Sequence, residues 1–191
     1  CAQSPYSKYK SKFSSEYADV AGYSFNFHKH ISTGEGGAIV TSDRKIARKL
    51  QLIRNHGEIV VEEKEKHNHH ILGFNFRLGE IEAAIGIEQL KKLKKIVREK
   101  QGLANYLNKY LTKFKGIITP MTMKHYTHSY YVYGMRLDRN KIKTTKKTID
   151  NFLKSNQLPI ATRYQSLYKV NILRNRNFLS RIFKTKKDID R

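Results

Sequence analysis

The sequence predicts an α/β chain whose last third changes to a smaller α+β unit. Three observations carry this reading. A strand-like run, Ala38-Ile39-Val40-Thr41, is followed at once by an Asp43-capped helical pattern. A long stretch from about Gly79 to Phe114 repeats apolar residues at helical spacing. After Gly116 and Pro120, Tyr131, Tyr133, Met135 and Leu137 alternate at strand spacing, and a second helical pattern follows. The boundary is expected near residues 115 to 120, giving parts 1–115 and 116–191.

Taken in order, residues 1 to 22 are polar and turn-rich, so a loop or short edge strands are expected. Residues 23 to 41 run through Lys29 into a strand expected to be buried. Ser42-Asp43 caps a helix from Arg44 to Asn55. Its Ile46, Ala47, Leu50 and Ile53 share a face, and Gly57 closes it. Glu58 to His70 is charged and without periodicity, which reads as an exposed loop. In the long helix, Leu90, Leu93, Val97, Ala104, Leu107 and Leu111 form the apolar face. Lys91, Lys92, Lys94 and Lys95 form the solvated one, and Gly102 is a point of bending or interruption. Further on, Thr144 or Thr145 caps a helix carrying Ile149, Phe152 and Leu153. Leu158-Pro159-Ile160 restarts an extended segment, and the tail from Asn171 is basic and weakly amphipathic.

Composition bounds the function. The 191 residues are 39% hydrophobic with 12 Tyr and 9 Phe, enough for a packed core. No apolar run approaches the roughly 20 residues needed to cross a bilayer. One cysteine, Cys1, excludes an internal disulfide framework, and no signal-peptide stretch opens the chain; cytoplasm is the expected location. The net charge of +22, from 38 Lys+Arg against 16 Asp+Glu, attracts anions of any kind. The lysines are spread along the chain, without an Arg-Gly-aromatic strand, zinc knuckle or helix-turn-helix, so nucleic acid is not the expected partner. His67, His69 and His70, near Glu62, Glu63 and Glu65, lack the fixed ligand spacing of a metal site, and no metal is expected. His125 and His128, among Tyr126, Tyr130 and Tyr131, mark a strand entrance.

The most informative residue is Lys29. A serine, Ser24, lies five positions before it, and the turn Thr33-Gly34-Glu35-Gly36-Gly37 follows it. A lysine that condenses with a cofactor aldehyde must be partly deprotonated, which burial or nearby positive charge favours. The cofactor phosphate then needs a hydroxyl and a close-approaching backbone, which Ser24 and the glycine turn offer.

Ser24-Phe25 through Lys29 to Gly37 resembles the signature of the DegT-type nucleotide-sugar aminotransferases. The likeness continues through Leu52-Ile53-Arg54-Asn55-His56-Gly57, Leu72-Gly73-Phe74-Asn75-Phe76-Arg77-Leu78 and Glu80-Ile81-Glu82-Ala83-Ala84-Ile85-Gly86. Cys1-Ala2-Gln3-Ser4 is similar to the end of the family's Glu-Asp-x-Ala-Gln segment. The Tyr130 strand and the Arg163 to Tyr168 region match its small domain more loosely.

The resemblance implies a pyridoxal 5'-phosphate enzyme of the aspartate-aminotransferase fold (fold type I). This chain would supply part of the large domain and a small C-terminal one. By the same resemblance, Lys29 holds the cofactor aldehyde and shuttles the proton, Ser24 binds the phosphate and Gln3 lies against the pyridine ring or its phenolic oxygen. Asn75 would reach the cofactor phosphate of a second subunit, implying a homodimer. Arg77 and Arg163 would meet an anionic substrate group, Arg77 alternatively supporting its own loop.

The implied reaction moves an amino group, from glutamate as the expected donor, onto a keto sugar linked to a nucleoside diphosphate. Its product would feed surface polysaccharide, lipopolysaccharide or amino-sugar synthesis. Family members with histidine at the lysine position dehydrate the sugar instead. Lys29, in register with the glycine turn, argues against that alternative, and a non-catalytic basic binding module is the other. The family's aspartate partner of the pyridine nitrogen would fall immediately before Cys1. The sequence therefore reads as the central and C-terminal half of a longer enzyme.

Overall fold

A computed structural model describes residues 1–58, 71–158 and 167–174. The chain divides into two compact units, Cys1–Lys141 and Ile142–Arg191. The boundary expected from sequence falls inside the first unit. There, β5 (Ile117–Ile118) pairs antiparallel with β6 (Arg136–Leu137), and the amide of Asp138 donates to Gly116 O at 2.8 Å. These bonds close the 116–138 segment on itself. The segment is also stitched to the start of the chain, where Lys10 N donates to His125 O and Thr127 N to Lys8 O, each at 2.9 Å.

Residues 8–13 form the short hairpin β1 (Lys8–Tyr9) and β2 (Lys12–Phe13), the edge strands expected of this polar region. A second hairpin pairs β3 (Ala21–Ser24) with β4 (Gly37–Val40), antiparallel, in the register Ala21↔Val40 to Ser24↔Gly37. The strand ending at Thr41 thus exists, but its expected burial does not hold. Ile39 and Val40 are exposed, and among the described residues β4 pairs with β3 alone in a two-stranded ribbon.

Helix α1 spans Arg44–Arg54, and the Asp43 carboxylate accepts from the amides of Lys45 and Ile46 at 2.7 and 3.1 Å. Its most buried residue is Leu52, beside the Ile46, Ala47, Leu50 and Ile53 face. Helix α2 runs unbroken from Glu80 to Leu111, so Gly102 does not interrupt it. A glycine weakens a helix interior by only about 1 kcal/mol, which 32 residues of continuous hydrogen bonding absorb.

The core sits where α2 meets the lysine loop. Ile31, Leu93 and Val97 are buried together, with Tyr6, Phe25 and Ile96 packed against them. Ala104 is buried about two turns beyond Val97, whereas Leu90 and Leu107 are exposed. The expected helical face is therefore correct at its centre only.

The alternation from Tyr131 to Leu137 yields a two-residue strand, not the longer one expected. Residues 131–135 have no ladder partner, and Tyr133 instead donates its hydroxyl to Asn108 Oδ1 at 2.6 Å. In the second unit, α3 (Lys146–Ser155) is capped by Thr145, whose hydroxyl accepts from Thr148 N at 3.1 Å. A short helix, α4 (Asn171–Arg174), follows a 3-10 turn. The segment from Pro159 to Ser166, with Arg163, lies outside the described residues, as does the histidine loop from Ile59 to His70.

Candidate active site

The β3–β4 hairpin delivers its long connection, residues 25–36, onto α2. At its neck Phe25 N donates to Gly36 O, and Thr33 N to Phe25 O, both at 2.9 Å. Asn26 Nδ2 donates to Glu35 Oε1 at 2.7 Å, and the Thr33 hydroxyl to Glu35 O at 2.7 Å. Gly36 is required twice over. Its φ is 144°, and a Cβ there would come within 2.9 Å of both Leu78 Cδ1 and Thr33 Oγ1. The glycine turn is thus a seat against the start of α2 as well as a bend.

Within this frame Asn26 joins two candidate residues. Its amide approaches Ser24 Oγ at 3.4 Å, and its carbonyl accepts from Lys29 N at 2.9 Å. The Lys29 side chain is half-buried, and its Nζ lies 4.8 Å from the centre of the Tyr131 ring. A cation is attracted to that ring face. Among the described residues no carboxylate pairs with this amine.

Beneath Lys29, His30 is buried and its Nε2 is 2.7 Å from Ser129 O. Its other ring nitrogen, Nδ1, is buried without a partner. Burial holds the His30 pKa below the ordinary 6.5, and Lys100, His128 and Lys29 push it the same way; the hydrogen bond to Ser129 opposes them. The surroundings of Lys29 are therefore positive, which suits an anionic ligand. Ser129 in turn donates to Gln3 O at 3.5 Å, so the backbone of Gln3 belongs to the same cluster, while its residue is exposed.

Asn75 and Arg77 form a separate arm. Residues 74–76 pair with the end of α1: Phe74 N donates to Ile53 O at 2.8 Å, His56 N to Phe74 O and Phe76 N to Arg54 O at 3.0 Å. Gly57, at φ 82°, and Gly73 bring the two backbones together. A Cβ on Gly57 would overlap Ile71 O. Arg77 Nη1 donates to the buried Asn55 Oδ1 at 2.9 Å, which is the loop-supporting role. Asn75 is exposed and does not cap α2, whose N-cap is Gly79.

Ser24 and Lys29 are thus each tied to Asn26, the Gln3 carbonyl is tied to Ser129 beside His30, Asn75 and Arg77 stand on their own arm, and Arg163 is outside the described residues. Sequence reasoning missed the shelf of His30, Ser129 and Tyr131. The signal was available: histidines flank Lys29, and an aromatic-histidine cluster fills residues 125–131. Among the described residues no cluster of three potential metal ligands occurs, and no helix is long and apolar enough to cross a membrane.

The model of the DegT/DnrJ/EryC1/StrS aminotransferase family matches residues 1–188. GDP-perosamine synthase from Caulobacter vibrioides is 30% identical over 142 residues, covering 74% of this chain and 37% of that protein. UDP-4-amino-4,6-dideoxy-N-acetyl-beta-L-altrosamine transaminase from Helicobacter pylori is 31% identical over 172 residues, covering 87% and 44%. The solved structure of Helicobacter pylori PseC, an aminotransferase involved in the biosynthesis of pseudoaminic acid, superposes with a TM-score of 0.79 at 26% identity, covering 94% of this chain and 46% of that one. The chain spans less than half the length of each of these relatives. With the lysine loop, the glycine seat and the family match in agreement, the chain belongs to the DegT/DnrJ/EryC1/StrS aminotransferase family, whose enzymes use pyridoxal 5'-phosphate on the fold type I scaffold.

Proposed function

We propose that this protein transfers an amino group from an amino acid, glutamate being the expected donor, to a keto sugar carried on a nucleoside diphosphate. The observation that carries the reading is the Lys29 amine, half-buried against Tyr131 and lacking a carboxylate partner among the described residues. The residues present fit the family's cofactor: an amine at Lys29 for its aldehyde, a hydroxyl at Ser24 for its phosphate, and the basic side chain of Lys100 nearby for its negative charge. When bound, pyridoxal 5'-phosphate supplies an electron sink for the carbon that loses or gains the amino group.

The chain's own residues do the rest. Lys29 Nζ takes a proton from the donor carbon and returns it to the acceptor. The Tyr131 ring covers one side of that amine and excludes water from it. Ser24 holds the phosphate, and Gln3 bears on the pyridine ring. Asn75, exposed at the tip of its arm, serves the site of a second subunit in a homodimer. Arg163, and Arg77 beyond its bond to Asn55, would meet anionic substrate. Residues 1–115 would form part of the cofactor-binding domain and 116–191 the smaller one. The setting is the cytoplasm, and the product serves surface polysaccharide, lipopolysaccharide or amino-sugar synthesis.

The test uses the protein at its natural length. It should purify with the visible absorption band of lysine-bound pyridoxal phosphate, bleached by borohydride, and Lys29→Ala should lose both the band and all amino transfer. A band that survives in Lys29→Ala, or sugar conversion that needs no amino donor, would overturn the reading.

A further inference from the structure

The lysine loop contains one buried side chain that the proposed chemistry does not use. His30 is 6% exposed, and Ser129, which it meets, is 2% exposed. A carbonyl oxygen can only accept, so the 2.7 Å contact between His30 Nε2 and Ser129 O requires the proton on Nε2. Nδ1 is then an unprotonated nitrogen, buried and without a partner. Such a nitrogen is tolerable while neutral. Protonated, it would be a buried donor with no acceptor. Among the described residues the basic groups that disfavour a charge on it are Lys29 on its own loop, His128 on the facing segment and Lys100 on α2.

The tie has a geometric consequence. Two residues beyond Ser129 stands Tyr131, whose ring lies 4.8 Å from Lys29 Nζ and 6.0 Å from the His30 ring. The same segment is held from α2, where Gln101 Nε2 donates to His128 O at 3.0 Å. From the loop, the described bond is that of His30.

We propose that His30 is a positioning residue: its Nε2–H bond to Ser129 latches the 129–131 segment onto the lysine loop and thereby fixes the Tyr131 ring against the Lys29 amine. This rests on the reading of Lys29 as the reactive amine. His30 Nε2 keeps its proton in either state, but charging the ring would add a second donor at the buried Nδ1, and that penalty drives the ring out of its slot and opens the latch. Its lowered pKa means that its contribution is complete above the ordinary value of 6.5. The contribution is lost as the pH falls from there through the lowered value.

The test compares wild type, His30→Gln and His30→Leu at natural length. Glutamine keeps an N–H donor that does not titrate; leucine removes the donor at similar volume. In the cofactor-free protein, amide exchange over residues 129–131 should quicken about tenfold or more in His30→Leu at neutral pH. In wild type it should quicken on acidification, after correction for the intrinsic pH dependence, and in His30→Gln it should not. In the loaded enzyme, the single-turnover reaction with donor should slow roughly 10- to 100-fold in His30→Leu. His30→Gln should recover most of that rate and flatten the acid limb of its pH profile.

Exchange in His30→Leu within twofold of wild type, or an acid-side rise that persists in His30→Gln, would overturn the proposal. Should His30→Leu not fold, the glutamine variant still decides it through that acid-side exchange. If wild type binds no cofactor and transfers no amino group, the functional reading fails, while the exchange data still judge His30.

Discussion

The lysine loop and the Asn75 arm are neighbours in the family signature but are held in place by opposite means. The loop is anchored by a side chain: Ile31, two residues after Lys29, is buried with Leu93 and Val97 in the core. The arm is held by backbone. Its amides pair with the end of α1 and its glycines permit the approach, while Leu72, Phe74 and Phe76 are exposed. Burial fixes a group deep inside its own subunit. Backbone pairing leaves side chains outward, which suits the role proposed for Asn75 at the site of a second subunit.

Breaking each anchor separately should separate the two regions. Ile31→Ala removes a buried side chain at the centre of the core and should cost about 3 kcal/mol, read by chemical denaturation. Exchange at residues 25–36 should quicken more than at 73–77. Gly57→Ala places a methyl on Ile71 O at positive φ and should cost about 2 kcal/mol. Its local signature should be reversed, with the arm loosened and Lys29 still reactive toward pyridoxal phosphate. If both variants loosen both regions equally, the distinction between the anchors is wrong. The smallest effect sharpens the contrast with surface charge: Lys91→Ala breaks an exposed pair with Glu88 and should shift stability by no more than about 0.5 kcal/mol.

Much of this was legible in the sequence because local rules decided it. Asp43 and Thr145 cap their helices as their hydroxyl or carboxylate chemistry dictates, and the glycine turn bends where it must. What was not legible depends on which surfaces meet. The β4 strand looks buried from its apolar run, yet burial belongs to a facing layer that no pattern within the strand encodes. Likewise the Tyr131 alternation signals a strand, but the residues prefer side-chain partners on α2 and the lysine loop to a ladder. For the candidate site, Lys29 and Ser24 are expectations from their spacing to the glycine turn, and the Asn26 backbone links the two. The His30–Ser129 tie joins residues 99 apart: the two histidine-rich segments are visible in the sequence, but not that they meet.

Helix α2 has a mechanical consequence. At 1.5 Å per residue its 32 residues make a rod about 48 Å long. Near its first turns Gly86 lies close enough that an added Cβ would touch Thr33 Cγ2 at 3.2 Å, and its middle bears on Ile31. A tilt of about three degrees around that packed middle would swing Tyr106 and Tyr110 at the far end by about an ångström, and would move the opposite end against the loop that carries Lys29.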